Sequence, residues 1–389
     1  MNFNYHMPTK LLFGKGQLNN LHKEELPGKK ALIVVSSGKS VKKYGYLERL
    51  KKELEKANVS YVVFDKILPN PIKSHVMEGA LLAKEEKCDF VIGLGGGSSI
   101  DSAKSISVMA TNDGDYWDYI SGGTGKEKPV KNDPLKVIAI TTTAGTGTEV
   151  DPWTVITNED TNEKIGFGYE KTFPSIAVVD PELMLSVPKK LTAYQGFDAL
   201  FHSTEGYLNK TANTMSDIYS LKAIELIGKS LKKAVLNGND IEARSDIALA
   251  NTLSGFVEST SGCTSEHSIE HALSAYHQDL THGAGLIMIS EAYYTFIAKS
   301  GKCDDRMIDM AKALGKKDAK EAMDFVKVLL DLQRECEVNE LKMSDFNIDK
   351  NNLEKYVKNA RETMGGLFLV DPIEINDEAV LNILKDSYR

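Results

Sequence analysis

The first half of the chain alternates short apolar runs with amphipathic stretches. Residues 31–35 (ALIVV), 61–64 (YVVF), 90–94 (FVIGL), 137–141 (VIAIT) and 176–179 (IAVV) are apolar blocks of strand length. Blocks that are apolar without alternation fit strands buried on both faces, as in a parallel sheet. Between them, residues 47–57 and 76–87 carry a helical period. Asp180-Pro181 and Pro188 then punctuate the chain, and strand-like runs stop. Long periodic segments follow at residues 218–236, 241–259, 286–298 and 319–336. The pattern predicts an α/β domain with a parallel, Rossmann-like sheet over residues 1–188 and an all-helical domain over residues 189–389. Residues 122–125 (GGTG), in a polar stretch, predict a surface loop.

Composition narrows the function classes. A chain of 389 residues with 42% hydrophobic content can fill two cores. A formal net charge of -8 argues against nucleic acid or an anionic membrane as the main partner. Cys88, Cys263, Cys303 and Cys336 are scattered and form no CxxC pair, so neither a disulfide framework nor a thiolate zinc knot is indicated. The N-terminus, MNFNYHMPTK, lacks the apolar core of a signal peptide, and no apolar run spans a bilayer. The expectation is a cytoplasmic protein without a membrane segment.

Two turns invite a phosphate. Gly93-Leu-Gly-Gly-Gly-Ser-Ser-Ile-Asp101 follows one strand and precedes a helix. Gly95, Gly96 and Gly97 remove β-carbons where backbone must approach a ligand, and the helix start directs amide N–H groups outward. The string is not GxGxxG, since Ser98 stands where the last glycine would be. Residues 141–149 (TTTAGTGTE) end another strand and offer five hydroxyls and two glycines. Either segment alone also fits a plain polar turn; together on one sheet they favour a nucleotide.

A second constellation is built from carboxylate and imidazole. Five of the eight histidines fall between residues 202 and 282. Asp198 and His202 stand four apart in a helical pattern, as do His267 and His271, and His282 follows beside Gly283. Spacing of four puts both members of a pair on one helix face. An aspartate with three histidines makes a mixed N/O site for Fe²⁺ or Zn²⁺ that can leave a position open for a substrate oxygen. Helix-surface pairs of this kind are also common without a metal. Lys and Arg are missing from residues 191–209 and 256–282, which argues against an anionic substrate. Phe201, Phe256 and Tyr276, near in sequence, point to an apolar one. His6, His22 and His75 are expected to be solvated, and His277 either exposed or beside the site.

Taken together, residues 8–16 (PTKLLFGKG), Pro69-Asn-Pro71, residues 95–104 (GGGSSIDSAK), 142–149 (TTAGTGTE), 179–182 (VDPE), 196–207 (GFDALFHSTEGY) and 266–285 (EHSIEHALSAYHQDLTHGAG) resemble the iron-containing, or group III, alcohol dehydrogenases. The resemblance covers nearly the whole chain. It implies a two-domain fold like that of dehydroquinate synthase, with NAD(P) between the domains and a homodimer or larger homo-oligomer. By position it implies Asp198, His202, His267 and His282 as metal ligands and His271 as proton relay. Gly96, Gly97 and Ser98 match the pyrophosphate turn; Asn70, Asp101, Thr141, Thr142, Thr146 and Lys164 fall in or beside cofactor-contacting segments.

NAD-using relatives often carry Asp after the first strand. Here residues 36–43 (SSGKSVKK) hold no carboxylate, so Ser36 and Lys39 could receive a 2′-phosphate, which points to NADP with NAD as the alternative. The reading is therefore an NAD(P)-dependent alcohol dehydrogenase, with Fe²⁺ or else Zn²⁺, acting on a small primary alcohol or aldehyde of butanol type. The alternative is an NAD-dependent diol dehydrogenase for 1,3-propanediol, glycerol or lactaldehyde. A dehydroquinate synthase-like lyase or a non-catalytic binding protein are remote alternatives, the lyase disfavoured by the missing basic clamp.

Overall fold

The computed structural model describes residues 2–389. The chain divides into two compact units, one of Met7–Thr143 with Thr148–Val187, the other of Pro188–Arg389 with Ala144–Gly147 and residues 2–6.

The first unit holds strands β1 (Lys10–Phe13), β2 (Lys30–Ser36), β3 (Ser60–Ile67), β4 (Phe90–Gly95), β5 (Lys136–Thr141), β6 (Thr154–Asn158), β7 (Glu163–Phe167) and β8 (Ile176–Val179). Helices α1 (Ser40–Lys43), α2 (Tyr46–Lys56), α3 (Lys73–Glu85) and α4 (Gly97–Met109) accompany them. Six strands form one sheet in the order β1-β8-β5-β4-β2-β3, with every pair parallel. Residues alternate between its two faces. Ile33, Val35, Ile92, Leu94, Ile138 and Val178 pack toward Leu47, Leu50 and Leu54 of α2. Leu32, Val34, Val91 and Val137 pack toward Val76 and Ala80 of α3 and Ala103 and Ile106 of α4. Burial on both faces is why these strands lack polar alternation.

All five apolar blocks are strands, so the parallel α/β reading holds. Three strands went unread. β1 lies at the sheet edge and is only half-buried, so its sequence KLLF lacks the all-apolar signature. β6 and β7 form a separate antiparallel hairpin whose polar-rich sequences, TVITN and EKIGF, do not stand out.

The second unit is helical, with α5 (Lys189–Leu208), α6 (Thr214–Leu236), α7 (Ile241–Thr260), α8 (Ser265–Tyr276), α9 (His282–Lys299), α10 (Asp304–Leu314), α11 (Met323–Glu335), α12 (Leu353–Met364), α13 (Gly366–Leu369) and α14 (Asp377–Ser387). Helix starts follow the local chemistry. Pro188 precedes the first residue of α5, Asn213 accepts from the Met215 amide at 3.0 Å, and Asp240 accepts from the Ala243 amide at 3.0 Å. α5, α6 and α7 pack on one another, and α8 packs on α9 and α12. No helix among the described residues is long and apolar enough to cross a membrane.

Candidate active site

In the helical unit, α5 presents Asp198, His202 and Glu205 at i, i+4 and i+7, all buried. α8 presents His267, Glu270 and His271, and α9 begins at His282. Asp198 Oδ1 stands 3.7 Å from His267 Nε2, 3.4 Å from His282 Nε2 and 3.7 Å from His202 Nδ1. One donor atom each from Asp198, His267 and His282 lies within 4.8 Å of the others, close enough to share an ion. His202 lies beside this set, its ring stacked on His267 with centroids 4.4 Å apart. Its Nδ1 is 3.3 Å from the Gly145 carbonyl and its Nε2 3.8 Å from Glu258 Oε2. The His271 ring is 5.2 Å from that of His282, and its Nδ1 lies 2.8 Å from Met364 Sδ.

Two carboxylates aim the donors. Glu205 Oε1 accepts from His267 Nδ1, and Glu270 Oε2 accepts from His282 Nδ1. Each bond turns the opposite nitrogen, Nε2, toward Asp198, the carboxylate–histidine arrangement that orients metal ligands. Glu205 is itself held, its Oε2 accepting from the Thr264 amide at 2.7 Å and the Thr264 hydroxyl at 2.9 Å. Gly285 makes the second pair feasible: a β-carbon there would stand 2.7 Å from Glu270 Cγ. Glu205 and Glu270 were not singled out in the sequence, although Glu205 extends the Asp198–His202 face by one turn and Glu270 follows His267 by three.

The donor set fits a divalent cation. Asp198 Oδ1 and His267 Nε2 are buried and, among the described residues, have no hydrogen-bond partner. Leaving a buried polar group unsatisfied costs about 1–3 kcal/mol, whereas ligating a zinc ion in a structural site returns about 10–16 kcal/mol. Burial pushes the Asp198 carboxyl up, but His202, His282 and His267 outweigh it and hold the carboxyl well below the usual range. Burial drives the His202 imidazole down to about 3, which keeps it neutral, as a ligand must be.

The aromatic residues near the donors in sequence each pack on another aromatic ring. Phe201 precedes His202 by one position, hence about 100° around the helix, and stacks on Tyr294 at 6.0 Å. Phe256 packs on Tyr219 and Tyr276 on Tyr356. His22 and His75, expected to be solvated, are half-buried: His22 Nδ1 pairs with Glu53 at 2.5 Å, and His75 Nδ1 is buried. His277 Nε2 lies 2.6 Å from the Tyr356 hydroxyl.

In the sheet unit, strand order reverses at β2 and β4. β3 continues to one side of β2, β4 and β5 to the other, so the connections leaving Ser36 and Gly95 part in opposite directions. Such a point, at the carboxyl ends of parallel strands, is where doubly wound sheets take a nucleotide. Gly95 has φ 155°, and a β-carbon there would stand 2.5 Å from Ser99 Oγ. Gly96 caps α4 and Gly97 is its first residue. The Thr142 amide donates to Gly95 O at 2.8 Å, joining the two turns. Ser98 Oγ donates to Pro69 O, next to buried Asn70. Lys164, buried, pairs across the hairpin with Thr157, whose amide donates to Pro71 O at 2.9 Å. Thr141 Oγ1 donates to Thr143 O at 2.8 Å, and Thr146 lies half-buried within the segment 144–147 that joins the helical unit.

Asp101, read as a cofactor contact, has both carboxylate oxygens on protein groups: the Thr148 hydroxyl at 2.7 Å and the Val155 amide at 2.9 Å. Burial raises its carboxyl to about 6 against the opposing pull of Lys104. Lys104, wholly buried, donates to Asp151 Oδ1 at 3.0 Å and to Trp153 O at 2.6 Å. These residues brace the segment after the second turn. Lys39 is exposed, and its neighbour Lys42 pairs with Asp65 at 2.5 Å.

Comparisons with known proteins agree with this architecture. Residues 8–181 match the model of the iron-containing alcohol dehydrogenases, and residues 192–388 match that of the C-terminal part of the same family. An NAD-dependent methanol dehydrogenase of Bacillus methanolicus is 36% identical over 316 residues, 80% of this chain and 80% of that protein. A 1,3-propanediol dehydrogenase of Citrobacter freundii is 32% identical over 333 residues, 84% of each chain. The crystal structure of an NADH-dependent butanol dehydrogenase from Thermotoga maritima superposes with a TM-score of 0.89 at 29% identity, covering 100% of this chain and 99% of that one. With both family models matching in order along almost its full length, this chain belongs to the iron-containing alcohol dehydrogenases.

Proposed function

We propose that the chain transfers hydride between a nicotinamide dinucleotide and a small primary alcohol or its aldehyde, using one divalent iron held by Asp198, His202, His267 and His282. The observation that carries this reading is the convergence of Asp198 Oδ1, His267 Nε2 and His282 Nε2, the first two of them buried and, among the described residues, without a hydrogen-bond partner. When bound, the ion supplies Lewis acidity toward the substrate oxygen. The residues do the rest. Glu205 and Glu270 hold their histidines in one tautomer and one orientation. His271, beside His282, carries the alcohol proton toward solvent. The turns at Gly96, Gly97, Ser98, Thr141 and Thr142, with Asn70 and Lys164, hold the dinucleotide. In functional terms, residues 1–188 bind the nucleotide and residues 189–389 bind the metal.

The relatives named above act, by their names, on methanol, 1,3-propanediol and butanol, all primary alcohols, and this supports the substrate class. A butanol-like monohydric alcohol fits the absence of Lys and Arg from residues 191–209 and 256–282, which carry the donors; the similarity to a 1,3-propanediol dehydrogenase favours a diol as the second reading. The absence of a carboxylate in residues 36–43 supports NADP over NAD. The test is a matrix of alcohols and aldehydes with NAD and NADP on protein reconstituted with Fe²⁺ or Zn²⁺. Primary alcohols should turn over only in metal-loaded protein. Full turnover by metal-free protein would end the proposal.

A further inference from the structure

A second donor set overlaps the first. His202, Cys263 and His267, all buried, each bring one ligand atom within 4.8 Å of the others. It shares His267 with the Asp198–His267–His282 set but replaces carboxylate with sulfur. Cys263 is not a stray thiol. It sits in the turn between α7 and α8, where Gly262 adopts φ 75° and the Cys263 carbonyl accepts from Asn209 Nδ2 at 2.9 Å. The next residue, Thr264, is bound through amide and hydroxyl to Glu205, the same carboxylate that orients His267. The turn and the imidazole are therefore held by one group. His267 Nε2 is buried and, among the described residues, makes no hydrogen bond, so this imidazole has a donor to give to one set or the other.

The two sets differ in softness. Carboxylate and imidazole suit iron; a thiolate beside two imidazoles suits zinc or another thiophilic ion. Bond lengths of about 2.3 Å to sulfur and about 2.0–2.1 Å to nitrogen give tetrahedral edges near 3.5 Å, so the three donors must close only by small side-chain adjustments. We propose that this pocket is a two-position metal centre in which a thiophilic ion is taken by Cys263, His202 and His267, displacing the thiol proton to solvent. The two positions exclude each other because both require His202 and His267. A zinc ion held by sulfur thus blocks iron from the position assigned above.

This inference rests on the three side chains and does not need the dehydrogenase reading to hold. It is tested by X-ray absorption on wild-type protein loaded with one equivalent of Zn²⁺. One sulfur scatterer at about 2.3 Å is expected, lost in Cys263→Ser, together with a thiolate-to-metal charge-transfer band in the Co²⁺-loaded wild type that the variant lacks. A zinc shell of nitrogen and oxygen alone in the wild type overturns the inference, whatever the variant does. If that shell accompanies alcohol oxidation by iron-loaded protein, the proposed function stands while this inference falls. If the sulfur is present but iron-loaded protein oxidises no alcohol, the reverse holds.

Discussion

The carboxylate–histidine cluster of the helical unit and the glycine–threonine turns of the sheet unit are both shaped as ligand sites would be, but from different materials. The cluster uses side chains: Asp198, His202, His267 and His282 arrive from three helices, and Glu205 and Glu270 aim two of them. The turns use backbone: a β-carbon at Gly95 would meet Ser99 and one at Gly96 would meet Thr143, and Gly97 begins α4, whose first amides are free to face an anion. Side-chain sites are sensitive to the loss of one functional group, and backbone sites to the gain of one β-carbon.

That contrast predicts an order of effects. His267→Ala should be the most damaging. Losing the ion removes several kcal/mol of Lewis-acid stabilisation, so the rate should fall on the order of 10³-fold or more, with metal content by elemental analysis falling in step and the circular dichroism spectrum unchanged. Glu205→Gln removes an aiming group and leaves every donor in place. Metal affinity should fall about 10- to 100-fold, read by competition with a chelator. Unchanged affinity would remove Glu205 from the site. Gly95→Ala should act only on the other side of the comparison. Its β-carbon meets Ser99, and backbone strain of about 1–3 kcal/mol should raise the cofactor KM roughly tenfold in steady-state assays while metal stoichiometry stays at wild-type level. Lys39→Ala should be mildest. An exposed charge contact is worth under about 1 kcal/mol, so the ratio of kcat/KM with NADP to that with NAD should fall about two- to fivefold. No shift would mean that the loop after β2 does not read the 2′-phosphate.

Legibility in sequence followed the same division. Asp198, His202, His267 and His282 stood out because rare, chemically distinctive side chains recur at helical spacing. The buried strands stood out because both faces are apolar. Glu205 and Glu270 were obscured because glutamate is common on helices, and only the packing of α5 and α8 makes theirs internal. The edge strand β1 and the hairpin β6–β7 lacked apolar runs. Phe201 shows that closeness in sequence does not give side-chain direction: one step along α5 from His202 turns about 100°, and its ring stacks on Tyr294. Asp101 lay inside a nucleotide-like motif, yet its partners, Thr148 and Val155, are some 50 residues further along and only the fold brings them to it.

The most direct measurement is anomalous diffraction at the iron absorption edge from crystals grown with Fe²⁺. The account predicts one peak per chain, bounded by Asp198 Oδ1, His267 Nε2 and His282 Nε2 with His202 completing the shell. A peak outside these side chains, or none in protein that oxidises alcohol at full rate, would contradict it.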